Sequence, residues 1–253
     1  MVMINYFSGD EWKAMRSTMS PAFTSSKIRL MVPFMEEVCL EMIKVLKQRI
    51  KDSGTSHYDM ECKEVMTRYA NDVIASCAFG LKVESLTADS EFYLNSKSIT
   101  KFTFWRFMKI MFYRLLPSVA QMMKLSLVPK ETTDYFTNVV LGTMKNREKN
   151  KIVRNDMINI LMEVKKGQLT HEKEDKDADA GFATVEESHI GKKQHNYGSR
   201  FALCEVKVML YLLLRDLKLT TCEKTCIPAR LSKNGFEMLI FGGAWVRLSV
   251  RTE

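Results

Sequence analysis

Long apolar runs, paired cysteines and turn-forming residues are all scarce in this chain of 253 residues. The longest uncharged apolar run, Val208 to Leu214, is far too short to cross a bilayer, and no amino-terminal stretch has the apolar core of a signal peptide. The sequence is therefore expected to carry no membrane anchor. The six cysteines (39, 62, 77, 204, 222 and 226) form no CxxC pair. Cys222 and Cys226 lie four apart, but no second pair stands at zinc-site spacing. What remains for the cysteines is the role of small buried hydrophobes in a reducing compartment. Eleven glycines and five prolines, set against 18 methionines and 14 phenylalanines, point to helices around a soft, polarizable interior. The 46% hydrophobic and 27% charged content is that of a globular chain, long enough for one large or two modest domains.

Acid is also in short supply, with 30 Asp and Glu against 38 Lys and Arg for a net charge of +8. Seven of those acids and four lysines fall in residues 168–197, which leaves 23 acidic and 34 basic groups elsewhere. The basic groups are scattered along amphipathic segments. No zinc-finger spacing and no aromatic-basic RNA motif accompanies them, so the charge does not indicate a nucleic-acid partner. A diffuse basic face suits an anionic membrane surface or an acidic protein better.

Periodicity divides the chain. Asp10 is placed to cap a helix running to about Ser20, where Pro21 stops it. From Ser26 the residues Ile28, Met31, Met35, Val38, Met42, Val45 and Ile50 recur at three- and four-residue steps, which predicts an amphipathic helix ending at Ser53-Gly54. A further helix is expected from about Asp59 to Phe79, closed by Gly80. The most aromatic stretch precedes Pro117, with Phe102, Phe104, Trp105, Phe107, Phe112 and Tyr113 interleaved with Lys101, Arg106, Lys109 and Arg114. Rings with basic neighbours suit an interfacial surface, and they serve equally well as ordinary core. Helices are also expected after Pro129 and over about Arg154 to Lys166. Residues 168–196 are polar and aperiodic, the pattern of a linker. Beyond them Ser199 to Leu217 reads as a helix apolar nearly all round, hence buried, followed by strand-like alternation about a Gly242-Gly243 turn.

Four segments carry a resemblance. YFSGDEWKAMRSTMSPAFTSSKIRLM (6–31), YANDVIASCAFGLKVESL (69–86), DMINILMEVKKGQLTHE (156–172) and GSRFALCEVKVMLY (198–211) are similar, in the family's order, to the cytochrome P450 haem-thiolate monooxygenases, in particular to the insect microsomal detoxification branch. In Trp12-x-x-x-Arg16, one helical turn puts an indole N–H and a guanidinium on one face. The resemblance implies that this pair holds a haem propionate. On the residues alone, a surface arginine beside a half-buried tryptophan reads as well.

The same resemblance exposes departures. The family's ligand loop places its cysteine two residues before a glycine, and counting back from Gly198 that position holds Asn196. The preceding glycine and arginine positions hold Lys192 and Gln194. A carboxamide cannot supply the thiolate electron density that favours O–O cleavage. Cys204 lies within the following helix and is expected to pack; His195 is the other candidate metal ligand, against a solvated linker histidine. No arginine has a glutamate three residues before it, so the family's E-x-x-R pair is missing. Glu131-Thr132-Thr133 follows Pro129 and reads as a helix start, unlike the oxygen-activating helix. These gaps fit one internal deletion between about Lys193 and Gly198.

The resemblance thus implies a mainly α chain, a partial haem-thiolate monooxygenase fold with a small β region at its C-terminus and core helices missing. It divides into a helical part (1–167), a flexible linker and deletion junction (168–197), and a helix plus β tail (198–253). Haem, iron, a lipophilic substrate and a reductase are the family's cofactor and partners. The endoplasmic reticulum membrane is its location, or the cytoplasmic face or cytosol for a chain without an anchor. Two functions stand open: a monooxygenase by descent that is inactive for want of its ligand cysteine, and a non-catalytic helical binding or regulatory fragment.

Overall fold

The computed structural model describes residues 10–101, 103–116, 126–166, 197–232 and 240–251. It is mainly helical with one small sheet. Helix α1 (Asp10–Met19) passes into a 3-10 turn (Ser20–Phe23) whose Pro21 stands at the first positions, where its missing N–H costs nothing. Helix α2 (Ser25–Asp52) buries Ile28, Met31, Met35, Cys39, Met42, Leu46 and Ile50. The spacing matches the expected stripe, but Cys39 and Leu46 take the inward places predicted for Val38 and Val45. Pro33 lies inside α2 on its exposed side, where solvent can take the carbonyl that loses its donor.

The helix expected from Asp59 is a correction. His57–Glu61 is a strand, β1, and α3 runs from Cys62 to Ile74. A five-residue π-helical turn (Ala75–Phe79) follows and ends at Gly80, which adopts φ +68 as the predicted closing residue. Helix α4 (Glu91–Thr100), capped by Ser90 Oγ accepting from Tyr93 N–H at 3.1 Å, has no counterpart among the predicted helices. The aromatic stretch forms α5 (Phe104–Leu115). Helix α6 (Lys130–Asn150) begins directly after Pro129, so Glu131-Thr132-Thr133 opens a helix as expected. Helix α7 (Met157–Lys165) starts behind Asp156 and α8 spans Tyr197–Asp216.

The described residues fall into two compact units that share the chain in an interleaved way. The first takes residues 1–44, 73–82 and 143–216. Its buried apolar residues include Ala22, Ile28, Met31 and Met35, with Val73 and Cys77, Ile158 and Ile160, and Met209, Leu212 and Leu213 of α8. Helix α8 departs from the expectation of all-round burial, because Val206, Leu210, Tyr211 and Leu214 lie on an open face.

The second unit takes residues 45–72, 83–142 and 217–253. Its antiparallel sheet has the order β1-β3-β2, with β2 at Leu217–Thr220 and β3 at Trp245–Val250. Leu248, fully buried, pairs with Tyr58 on one side and Leu219 on the other. Asp59 and Arg247 face each other across β1 and β3 and form an ion pair at 2.7 Å. The predicted Gly242-Gly243 turn is present, with φ of +78 and +92. Arg68 of α3 pins the 81–90 segment, donating to Ser85 O at 2.6 Å and Asp89 Oδ1 at 2.7 Å.

Candidate functional site

The sequence points to two places: the Trp12-x-x-x-Arg16 face and the segment ahead of Gly198. Both residues of the first lie in α1, one helical turn apart. Their side chains lie outside the described residues, as do Asn196, His195, Lys192 and Gln194. The expectation that Trp12 and Arg16 hold a haem propionate thus falls on side chains outside the described residues.

Cys204 is described, and it sits inside α8, buried. Burial raises its thiol pKa above the ordinary value, with nearby Lys207 opposing and Glu205 adding. Cys77 and Cys39 are buried further and pushed up to about 12 each, mainly by desolvation. Cys77 donates from Sγ to Met31 O at 3.8 Å, and Cys39 to Met209 O at 3.9 Å. A metal thiolate must be deprotonated, and burial among apolar groups without a cation close enough to compensate opposes that. Cys62, Cys222 and Cys226 are half-buried in the second unit and unpaired. The expectation that cysteines pack as small hydrophobes holds for three of the six. Among the described residues no cluster of three or more His, Cys, Asp or Glu side chains is placed to hold a metal. The three buried thiols of the first unit do not fit a thiolate-ligated haem.

What the first unit does assemble is a buried ionic centre. Asp156 is fully buried, and Arg147 is 4% exposed. Arg147 donates from both terminal nitrogens, to Asp156 Oδ1 at 2.6 Å and Oδ2 at 2.5 Å, a bidentate fork. Asp156 Oδ1 also accepts Asn159 N–H at 3.1 Å and so caps α7. Arg154 lies over the Phe34 ring at 4.2 Å and donates to Gly80 O at 3.2 Å and Ser76 Oγ at 2.8 Å. A Cβ on Gly80 would run into the Arg147 guanidinium and lie 2.7 Å from Asp156 Oδ2. Only glycine suits both that space and the left-handed backbone. The arrangement ties the π-helical turn, the end of α6 and the start of α7 together. It is structural in character, with Arg154 Nε also 3.5 Å from Asp156 Oδ2.

Sequence reading missed this centre. Arg154 and Asp156 stood in a recognised segment, but nothing local shows that they are buried or that Arg147 reaches them. Glu205 was missed as well. It is buried on α8, and burial raises its carboxyl from 4.5 to about 7.

The second unit holds the other candidate surface. Helix α5 buries none of its residues, and Phe104 and Trp105 are 61% and 77% exposed. Lys101, Lys109 and Arg114 are exposed beside them. Among the described residues no helix is long and apolar enough to cross a membrane.

Comparison with known proteins accounts for the amino-terminal three quarters. The family profile described as Cytochrome P450 matches residues 3–185. The chain is 44% identical over 155 residues to the probable cytochrome P450 9f2 of Drosophila melanogaster, covering 61% of this chain and 30% of that protein. It is 40% identical over 156 residues to cytochrome P450 9c1 of the same fly, covering 61% and 29%. Against cytochrome P450 9e2 of Blattella germanica it is 34% identical over 176 residues, covering 65% and 33%. The match thus spans about a third of the length of these curated relatives, and α8, β2 and β3 lie beyond the residues that the profile matches. The chain belongs to the cytochrome P450 family.

Proposed function

We propose that this chain is a helical portion of a haem-dependent monooxygenase that does not itself carry out the oxidation of lipophilic molecules. The observation that carries the reading is Asn196, standing two residues before Gly198 where the family resemblance expects the ligand cysteine. Neutral carboxamides are poor donors to iron, and the buried protonated thiols of Cys39, Cys77 and Cys204 offer no replacement. The missing E-x-x-R pair supports the same conclusion. Trp12 and Arg16 are the residues that would hold a propionate, and the oxygen-cleaving chemistry that a haem would supply in this family depends on the electron density of a thiolate ligand. Lipophilic substrates and a reductase belong, on this reading, to the longer relatives, as does residence at the endoplasmic reticulum. The open aromatic-basic face of α5 supports association with a membrane surface.

The test is retention of haem. Incubated with excess haemin and passed through gel filtration, the chain is expected to keep no stoichiometric haem, and Trp12→Ala with Arg16→Ala is expected to change nothing. One haem per chain, lost in that double variant, would overturn the reading.

A further inference from the structure

We propose that the open face of α8 is where two copies of this chain meet, in a two-fold antiparallel pairing that sets Lys207 of each copy against Glu36 of the other. Helical spacing lays out the face. Val206, Leu210 and Leu214 stand four residues apart and are 47%, 43% and 43% exposed, with Tyr211 beside them at 69%. The other stripe, with Cys204, Met209, Leu212 and Leu213, is already buried within the first unit. Helix α8 is therefore apolar on two sides and covered on one. A row of large apolar side chains left in water favours association with whatever covers it.

The charges select the occupant. Glu205 is buried, so the exposed row beside the apolar stripe reads Lys207, Tyr211 and Arg215. Arg215 is held by Asp216 at 2.7 Å and lies within electrostatic reach of Glu36 on α2. Helix α2 meets α8 there, where Cys39 Sγ donates to Met209 O at 3.9 Å. Two acids against one cation leave that end of the face negative, while Lys207 makes the other end positive. Eight residues separate Lys207 from Arg215, about 12 Å along a helix.

A two-fold axis near Leu210 and Tyr211 brings each Lys207 level with the acidic end of the other copy. The same axis brings Val206 level with Leu214. In such an interface each contact occurs twice, so both charge pairs are matched at once. A parallel pairing would instead lay Lys207 beside Lys207. Standard interfaces bury about 800 Å² per partner, more than one stripe of four side chains supplies, so the pairing is weak and depends on concentration.

Sedimentation velocity of the full chain across a dilution series, without haem, tests the pairing. A monomer–dimer equilibrium is expected. Leu210→Glu places like charges together at the axis, and Lys207→Glu or Glu36→Lys turns two attractions into repulsions. Each is expected to weaken the dimer about tenfold or more. Lys207→Glu combined with Glu36→Lys in one chain is expected to restore most of that loss, which neither misfolding nor unspecific stickiness would do. Phe104→Ala with Trp105→Ala, on α5, is expected to leave the dimer unchanged. The proposal is overturned by a natural chain that is monomeric throughout, which would leave the face to a different protein, or by open-ended aggregation in place of a dimer. It is equally overturned by a dimer that survives Leu210→Glu, by one lost in the α5 variant, or by a charge exchange that restores nothing.

Discussion

Replacing Asp156 with asparagine changes one atom in a site that water does not reach, and its cost can be worked from the contacts. Asparagine keeps an oxygen for Asn159 N–H, so the cap of α7 survives. What disappears is the charge that accepts both terminal nitrogens of Arg147, a side chain 4% exposed. The guanidinium is left buried and uncompensated, a situation that costs about 3–5 kcal/mol. Set against a typical net stability of about 5–15 kcal/mol, that is a large fraction of everything holding a chain folded. The double variant Arg147→Met with Asp156→Leu removes both charges and the cap. Its expected cost is about 1–2 kcal/mol, because the cap is worth about 1 kcal/mol and a well-packed apolar pair is often as good as a buried ionic one. Urea unfolding followed by far-UV circular dichroism measures both. A single variant within about 1 kcal/mol of the natural chain, or a double variant as damaging as the single, would refute the reasoning.

Four further outcomes follow from the same structure. Gly80→Ala, forced into φ +68 with its Cβ against Arg147, is expected to lose more than about 2 kcal/mol in the same urea assay. The chain is expected to float with anionic vesicles and to lose that association in Phe104→Ala with Trp105→Ala, whereas no flotation of the natural chain would rule out a membrane role for α5. Iodoacetamide at pH 8 is expected to label Cys226 and spare Cys39 and Cys77 in the folded chain, since burial holds the latter two near 12, and mass spectrometry after proteolysis gives the pattern. Leu210→Lys with Leu214→Glu is expected to reduce light scattering by the concentrated chain, because uncovered apolar patches drive association. A natural chain that remains a soluble monomer with one sharp thermal transition would contradict that last expectation.

Helices were legible where a long apolar stripe had to be buried, and not in the ten-residue α4, which buries only Phe92 and Tyr93. The steps from Ile28 to Ile50 gave α2 to within a residue at each end, and Pro129 and Gly80 marked a beginning and an end for stated physical reasons. Strand β1 was not legible, because it pairs with β3, where Asp59 stands opposite Arg247, 188 residues away. Local periodicity cannot register so distant a partner. Helix α8 read as wholly apolar, yet the sequence could not say how much of the covering protein is present. The candidate site divides in the same way. Trp12, Arg16 and Asn196 were legible through resemblance, whereas the Arg147–Asp156 pair and the buried Glu205 depend on burial, which only three dimensions reveal.

The reading of the chain as a P450-family protein without its oxidative chemistry turns on whether any sulfur reaches iron. The direct measurement is the absorption spectrum of the chain mixed with haemin, reduced with dithionite and exposed to carbon monoxide. With Asn196 in the ligand position and the described thiols of the first unit buried and protonated, no long-wavelength Soret band of thiolate-ligated iron is expected. The appearance of that band in the natural chain, and its loss on substituting any one cysteine, would contradict the account.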